Sequence, residues 1–520
     1  MPSSSIVQPS SVPSQIFTSA ESFSNKLLND KPTMIITSLA ILLSLLILEQ
    51  TVYRVKKGSL PGSKWTIPVI GKFLDSMNPT LEGYKKQWAS GELSALSVFH
   101  IFIVMATTNE YTRKILNSPA YTEPCLVASA KQVLCGDNWV FLNGKEHVDY
   151  RRTLNGLFTR KALAVYLDSQ DSITRQHFTE WLAAAKKDPS PQSIMHTTRY
   201  LNMHTSLRVF CGPHIPEEAI KIISDNYWKI TLALELVNFP LAIPGTKVYG
   251  AIQARKIAMK HLEAACRDSK IWVANGGETT CMIDQWVRDL QDATEKAIAD
   301  GNGKIPRTFS DREMALVLLS FLFASQDAMS SGVIYMFQHL ADHPEILAKV
   351  REEQKIVRNG DYTKPMTLEQ VDQMVYLRAV IKESLRLKPP VTMVPYKATK
   401  AFPISPFYTV PANSMVIPSI YPSLHDPNVY EDPHLFLPDR WLDPESKANA
   451  NPKNFLVFGA GPHRCIGVEY TNINMACVMG NAAALLNWEH VRTPESDEVQ
   501  MIATIFPKDG CLLRFSPRQE

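Results

Sequence analysis

The stretch "MALVLLSFLFASQDAMSSGVIYMFQHL" (314–340) constrains the fold more than any other part of the chain. It has helical period but is apolar nearly all the way round, so it has no face to offer to water. Such a helix belongs in the middle of a large domain. Ser310 and Glu313 ahead of it form a capping-box pattern, and Asp342-His343-Pro344 behind it ends it and opens another helix. One polar interruption, Ser325-Gln326-Asp327, lies inside the run. Burying such groups without partners is costly, so this segment is expected to line a cavity rather than to turn an edge to water.

The rest of the chain supplies the core that such a helix needs: 520 residues, 45% of them hydrophobic and 20% charged. Residues 91–107 are rich in Val, Ile and Phe and predict strands. Thr367 and Gln370 form a second capping box, starting a helix that must stop before Pro389-Pro390. Prolines recur from 401 to 445, which predicts an ordered meander with short strands, and a last helix starts beside Cys465 and runs to about 487. The fold expected is mainly α with a minor β portion, as one domain over 72–520.

In front of it, residues 1–32 are rich in Ser, Pro and Gln and are expected to be flexible. The uncharged run "TMIITSLAILLSLLIL" opens a transmembrane anchor over 33–53, and 54–71 form a basic, then Pro/Gly-rich linker. Arg54, Lys56, Lys57 and Lys64 follow the span with no acidic residue among them, which places the C-terminal bulk in the cytosol. A cleaved signal peptide competes with this reading, but 32 residues precede the apolar run and no small-residue cleavage site follows it.

The net charge of +3, with Lys and Arg scattered and no zinc-finger spacing, gives no reason to expect nucleic acid as a partner. The eight cysteines (125, 135, 211, 266, 281, 465, 477 and 511) are far apart with no C-x-x-C, as in a reduced protein on the cytosolic side. Seven read as small buried hydrophobes. Cys465, inside "FGAGPHRCIG" (458–467), is different. The start of a helix favours a thiolate, and glycines on both sides let backbone approach the sulfur and a flat ligand closely. A haem-iron ligand suits this pattern best. A zinc site lacks a second ligand pair beside His463 and Cys465, while a nucleophilic thiol or an inert loop stays open.

The arrangement Phe458-x-x-Gly461-x-His463-x-Cys465-x-Gly467 resembles the haem-binding loop of the cytochrome P-450 superfamily, with His463 where Arg is commoner. The resemblance implies haem b held with Cys465 as the axial iron ligand and His463 at a propionate. His147-x-x-x-Arg151 resembles the helix that offers propionate donors. Seven residues after Pro389, where many relatives carry a propionate-binding Arg, this chain has Tyr396 and then Lys397, either of which takes that role. Glu383-x-x-Arg386, by itself no more than a surface ion pair, resembles with Arg440 the superfamily's buried structural cluster. "FASQDAMSS" is similar to the oxygen-facing stretch: Asp327 is the acid, but Ala328 stands where an alcohol is usual. Ser330, Ser331 or an ordered water is expected to take over.

Beyond these motifs, "LFASQDA", "VPYKATKAFPISPFYTVPANSMVIPSIYPSLHDPNVYEDP" and "IATIFPKDG" resemble the fungal sterol Δ22-desaturase family. That likeness implies the cytochrome P-450 fold and introduction of the C-22/C-23 double bond of a sterol side chain during ergosterol biosynthesis. It also implies electrons from NADPH through a separate reductase, and a single-pass protein of the endoplasmic reticulum membrane. Residues 121–140, the stretch near 230–250, 391–396 and 503–507 would line the sterol cavity. The rivals are a haem-thiolate monooxygenase hydroxylating another lipid or xenobiotic, and a non-catalytic haem- or sterol-binding protein.

Overall fold

A computed structural model describes residues 31–73, 75, 79–127, 129–234, 241–300, 306–502 and 504–518. The first helix, α1 (Lys31–Lys57), carries the apolar run and is exposed along most of its length. A window of it has a mean hydropathy of 2.0, long and apolar enough to cross a membrane. It begins two residues before the expected span and runs four beyond it, so residues 31–32 are helical; residues 1–30 lie outside the described residues.

The linker expected over 54–71 is partly helix, and the rest folds back against α1. Gln50 Nε2 donates to Thr66 O (3.2 Å), Val69 N donates to Glu49 Oε1 (2.9 Å), and Tyr408 Oη donates to Lys56 O (2.6 Å). The Arg54 guanidinium lies 3.5 Å from the centre of the Trp65 ring. These contacts fix the exit of α1 to the body, where the sequence had suggested only a stiff spacer.

Strands β1 (Leu93–Val98) and β2 (Ile101–Ala106) lie in the stretch expected to form strands and pair as a hairpin. Helix α2 (Asn109–Leu116) and strand β3 (Thr122–Pro124) follow. Then come α3 (Gly144–Leu154), α4 (Arg160–Lys187), α5 (Met195–Cys211), α6 (Glu217–Ala233) and α7 (Lys247–Ala274). The apolar run is α8 (Asp311–Asp342), and it is followed by α9 (Val375–Leu387), β4 (Tyr396–Ala398), β5 (Met415–Pro418) and α10 (Val468–Leu485). The main sheet has the order β1-β2-β5-β4-β3, with β2 and β5 parallel and the other pairs antiparallel.

Helix α8 runs through the core as its composition demands, with α5, α7, α9 and α10 packed against it. Its capping box is complete: Glu313 N donates to Ser310 Oγ (3.2 Å) and Ser310 N donates to Glu313 Oε2 (2.9 Å). Gly332 is where α8 approaches its neighbours most closely, since a Cβ there would run into Met475 of α10 and come within 3.3 Å of Leu385 of α9. The helix expected after Thr367 is interrupted instead. Leu368–Gln373 ends at Met374, whose ψ of 67° is not helical, and α9 starts anew.

Candidate functional site

From Met314 to Leu340 every residue of α8 is buried except Phe323, Ala324, Ser325 and Ala328. Residues three and four apart share a helix face, so Ala324, Ser325 and Ala328 form one window in an otherwise sealed helix. The polar interruption therefore adjoins accessible space, and small side chains border it.

A column of rings joins this window to the cysteine loop. Trp139 Nε1 donates to Ser320 Oγ (2.7 Å), one turn before the window. The Trp139 ring stacks on His147 of α3 at 5.8 Å, and His147 stacks on His463 at 4.0 Å. His463 lies two residues before Cys465, so the two histidines singled out in the sequence meet. Burial lowers both imidazole pKa values, His463 to about 4, and keeps them neutral. His147 Nδ1 is buried with no hydrogen-bond partner. Arg151, one turn further along α3, donates from Nη1 to Pro462 O (3.4 Å).

The loop explains its glycines individually. Gly459 (φ 69°) and Gly461 (φ 72°) take left-handed backbone, and Gly461 packs so tightly on the Leu116 carbonyl that no Cβ fits. Its glycine thus serves the approach of another backbone, not of a ligand. At Gly467 a Cβ would meet nothing within 4 Å, and the Gly467 N–H faces the Cys465 sulfur. Phe458 O accepts from Cys465 N (3.0 Å), which closes the loop. Cys465 is exposed although the loop is surrounded by protein, as for a residue lining an internal space. Burial pushes the Cys465 thiol up, while the Gly467 N–H, Arg151 and Arg464 act in the expected direction and favour the thiolate.

Tyr396 and Lys397 alternate across β4. Tyr396 is buried among Phe402, Ile404 and Val416, while Lys397 is half-exposed on the other face beside Glu123. Burial pushes the Tyr396 phenol up to about 12.

Glu383 and Arg386 come together fully buried, with the half-buried Arg440 at their edge. Glu383 accepts from Arg386 Nε (2.9 Å) and Nη2 (2.9 Å), Arg440 Nε (3.1 Å), Leu437 N (3.1 Å) and Trp441 Nε1 (2.9 Å). Arg386 also donates to Leu424 O (2.9 Å), Pro433 O (2.8 Å) and Leu435 O (3.1 Å), and Arg440 to Glu431 O (2.7 Å). Arg386 at the end of α9 thus gathers the carbonyls of the proline-rich meander.

At the polar interruption, the structure adds residues that the sequence reading missed. Asp327 is ion-paired with Arg199 of α5 and accepts from Thr231 Oγ1 of α6 (2.7 Å). Asn202 Nδ2 donates to Gln326 O (3.0 Å), Gln326 Nε2 donates to Arg199 O (2.8 Å), and Ser206 Oγ lies 3.4 Å from Ser325 Oγ. Arg199, Asn202 and Ser206 are spaced i, i+3 and i+7, one polar stripe on a buried helix. That stripe was visible in "RYLNMHTS" and was the signal to follow.

Two expectations fail at the same place. Ser330 Oγ donates back to Gln326 O (2.5 Å) and Ser331 Oγ to Ile505 O (2.5 Å), and both residues are fully buried. Neither hydroxyl is free to stand in for the one missing at Ala328. Of the expected cavity lining, 121, 123–127, 391 and 393–395 are half-exposed. Residues 505–507 are sealed in the core, Leu241 and Ile243 lie on the surface, and 128, 235–240 and 503 lie outside the described residues.

The residues present fit a haem. An exposed but enclosed cysteine, a buried histidine nitrogen without a partner, an adjacent arginine and a sealed helix with a small-residue window are what a flat anionic iron ligand requires. Comparison with known proteins agrees. Residues 61–510 match the family described as Cytochrome P450. The chain is 45% identical to C-22 sterol desaturase ERG5 of Saccharomyces cerevisiae over 477 residues, 91% of this chain and 88% of that one. It is 43% identical to Cytochrome P450 monooxygenase oblE of Emericella variicolor over 487 residues, 92% of both chains. Among solved structures, retinoic acid bound cyanobacterial CYP120A1 aligns with a TM-score of 0.75 and 20% identity, over 88% of this chain and 99% of that chain, a likeness of fold.

Proposed function

The chain belongs to the cytochrome P450 family, among the C-22 sterol desaturases, and on that premise we propose that it introduces the C-22/C-23 double bond of a sterol side chain in ergosterol biosynthesis. The observation that carries this reading is likeness along 91% of the chain together with an intact cysteine loop around Cys465.

Haem b would be held by Cys465 at the iron and by His463, His147, Arg151 and either Tyr396 or Lys397 at the propionates, with Phe458, Gly461 and Gly467 shaping the loop. When bound, it supplies oxidation of unactivated C–H bonds by O2. Per double bond, the sterol gives up two hydrogens, and O2 takes these with two electrons from NADPH and two protons to form two waters. The chain's own part is to bind the sterol side chain, exclude water and deliver those protons. Leu126, Val127, Val391 and Val394, apolar and half-buried, would wall the cavity beside Ala324 and Ala328. Asp327, held by Arg199 and Thr231, keeps a carboxylate next to the window.

The electron donor is a NADPH-dependent reductase. Its docking place would be the groove of ≈ 330 Å³ lined by Phe458 and Arg464 of the cysteine loop with Arg378, Lys382, Trp441 and Phe455. Cations round an aromatic floor suit an acidic partner surface. The apolar α1, with its basic end fixed to the body, would anchor the protein once in the endoplasmic reticulum membrane, its catalytic domain in the cytosol.

A second reading, hydroxylation of another lipid, is favoured by the likeness to the monooxygenase of Emericella variicolor. Reconstitution with a reductase and a side-chain-saturated sterol separates the two. A product lighter by two hydrogens with its new double bond at carbon 22 supports desaturation, and one heavier by an oxygen supports hydroxylation.

A further inference from the structure

We propose that Ser325 supplies the hydroxyl that Ala328 lacks, and that Ser206 feeds it protons from ordered water held by Tyr470 and Gln170. The proposal rests on reading the chain as an oxygen-reducing haem-thiolate enzyme.

Among the four residues that break the burial of α8, Ser325 alone has a polar side chain, and it shares a face with Ala328 at i, i+3. Its hydroxyl is loosely held, with Leu322 O at 3.5 Å and Ser206 Oγ at 3.4 Å. Ser330 and Ser331 are engaged elsewhere, and the Asp327 carboxylate is engaged by Arg199 and Thr231.

Behind Ser325 lies a set of polar atoms that the protein alone does not satisfy. Burial pushes the Tyr470 phenol of α10 up to about 12, while Gln170 of α4 and Ser206 pull it down, so all three are neighbours. Gln170 and Ser206 thus stand within hydrogen-bonding range of the Tyr470 hydroxyl, but no contact of that hydroxyl or of either polar end of Gln170 reaches good hydrogen-bond geometry, and all three atoms are buried. Buried polar atoms are nearly always satisfied, and a buried water typically makes about three hydrogen bonds to such groups. The stripe continues along α4. Tyr166, Gln170, Thr174 and His177 are spaced i, i+4, i+8 and i+11, and the Tyr166 and Thr174 hydroxyls are likewise buried and unpaired. At its end His177 Nε2 meets His204 Nδ1 at 3.0 Å, and His204 Nε2 lies 3.4 Å from Glu217, whose side chain is 64% exposed. The stripe therefore runs from solvent to the window in α8.

In each transfer Ser325 gives its hydroxyl proton to the reacting site and takes one from Ser206, which is restored from water that Tyr470 and Gln170 hold in place. Every group ends as it began, one proton enters from solvent for each one used, and no electrons pass along the path.

The test uses the full chain with its haem, a reductase and sterol. Ser325→Ala is expected to slow product formation about tenfold, near the lower end of what a positioned proton donor contributes, while NADPH oxidation now yields mostly hydrogen peroxide. Ser325→Thr, which keeps the hydroxyl, should restore coupling, and Ser206→Ala should lose it in part. A crystal structure should show water bridging Tyr470, Gln170 and Ser206. Unchanged coupling in Ser325→Ala, or a dry contact between Tyr470 and Gln170, would overturn the proposal. The peroxide fraction reports on oxygen reduction whether the product is alkene or alcohol, so its outcome is separate from that of the desaturase reading.

Discussion

Glu383 and Asp327 are both carboxylates buried in helices near the centre of the molecule, and their surroundings are opposite. Both oxygens of Glu383 are loaded by two arginines, an indole and a backbone N–H, and the arginines spend their remaining donors on meander carbonyls. Asp327 has one arginine and one hydroxyl, and it adjoins a window in its helix behind which further polar atoms lack partners. A network closed on itself holds chain segments together. For the one left partly open, next to the window in its helix, we propose the exchange of protons. The same buried charge thus serves structure or chemistry according to whether its neighbours are satisfied.

Breaking the closed network should cost most. Glu383→Ala leaves Arg386 buried without its counter-charge and should destabilise the fold by about 3–5 kcal/mol, read as a lowered urea midpoint and loss of bound haem. A variant as stable as the parent would remove the structural half of the comparison.

Acid should act on the outer end of the open stripe. Burial, with His204 beside it, pulls His177 down to about 4 from its ordinary value of 6.5. The unfolded chain therefore binds a proton that the folded one refuses. The stability this contributes is complete above pH 6.5 and is lost between about 6.5 and 4, on the order of 3 kcal/mol in all. His177→Gln should flatten that slope in urea melts taken across the window, and an unaltered slope would assign the acid sensitivity to other groups.

Asp327→Asn sharpens the contrast. It keeps the shape while weakening the hold on Arg199 beside the window, so turnover should fall about tenfold through loss of positioning, with the sterol-induced spectral change retained. If turnover survives and the melting point collapses instead, Asp327 belongs with Glu383. The smallest effect is expected on β4. Of Tyr396→Phe and Lys397→Ala, the one that removes the propionate donor should weaken haem retention by about 1.5–3 kcal/mol, measured by haem transfer to an acceptor protein, and the other should not.

Much of this was legible in the sequence because it depends on local rules. The all-round apolar α8 had to be central, Ser310 and Glu313 had to cap it, and the spacing round Cys465 carried the haem loop. The closed cluster was legible only through the family resemblance, since Glu383 and Arg386 a turn apart on one helix read by themselves as a surface ion pair. The open network was not. Its members come from α4, α5, α6, α8 and α10, and the roles of Ser330 and Ser331 were misjudged because only packing shows that their hydroxyls return to Gln326 and Ile505. The break at Met374 escaped as well, since a capping box marks where a helix starts and not where the next residue leaves it.

The most direct test of the account is the fate of oxygen. With reductase, NADPH, a side-chain-saturated sterol and oxygen-18 gas, all the label should appear in water, one alkene forming per O2 consumed and none of the product labelled. Oxygen-18 retained in the sterol as the main outcome would contradict desaturation and leave an oxygen-inserting enzyme of the same family.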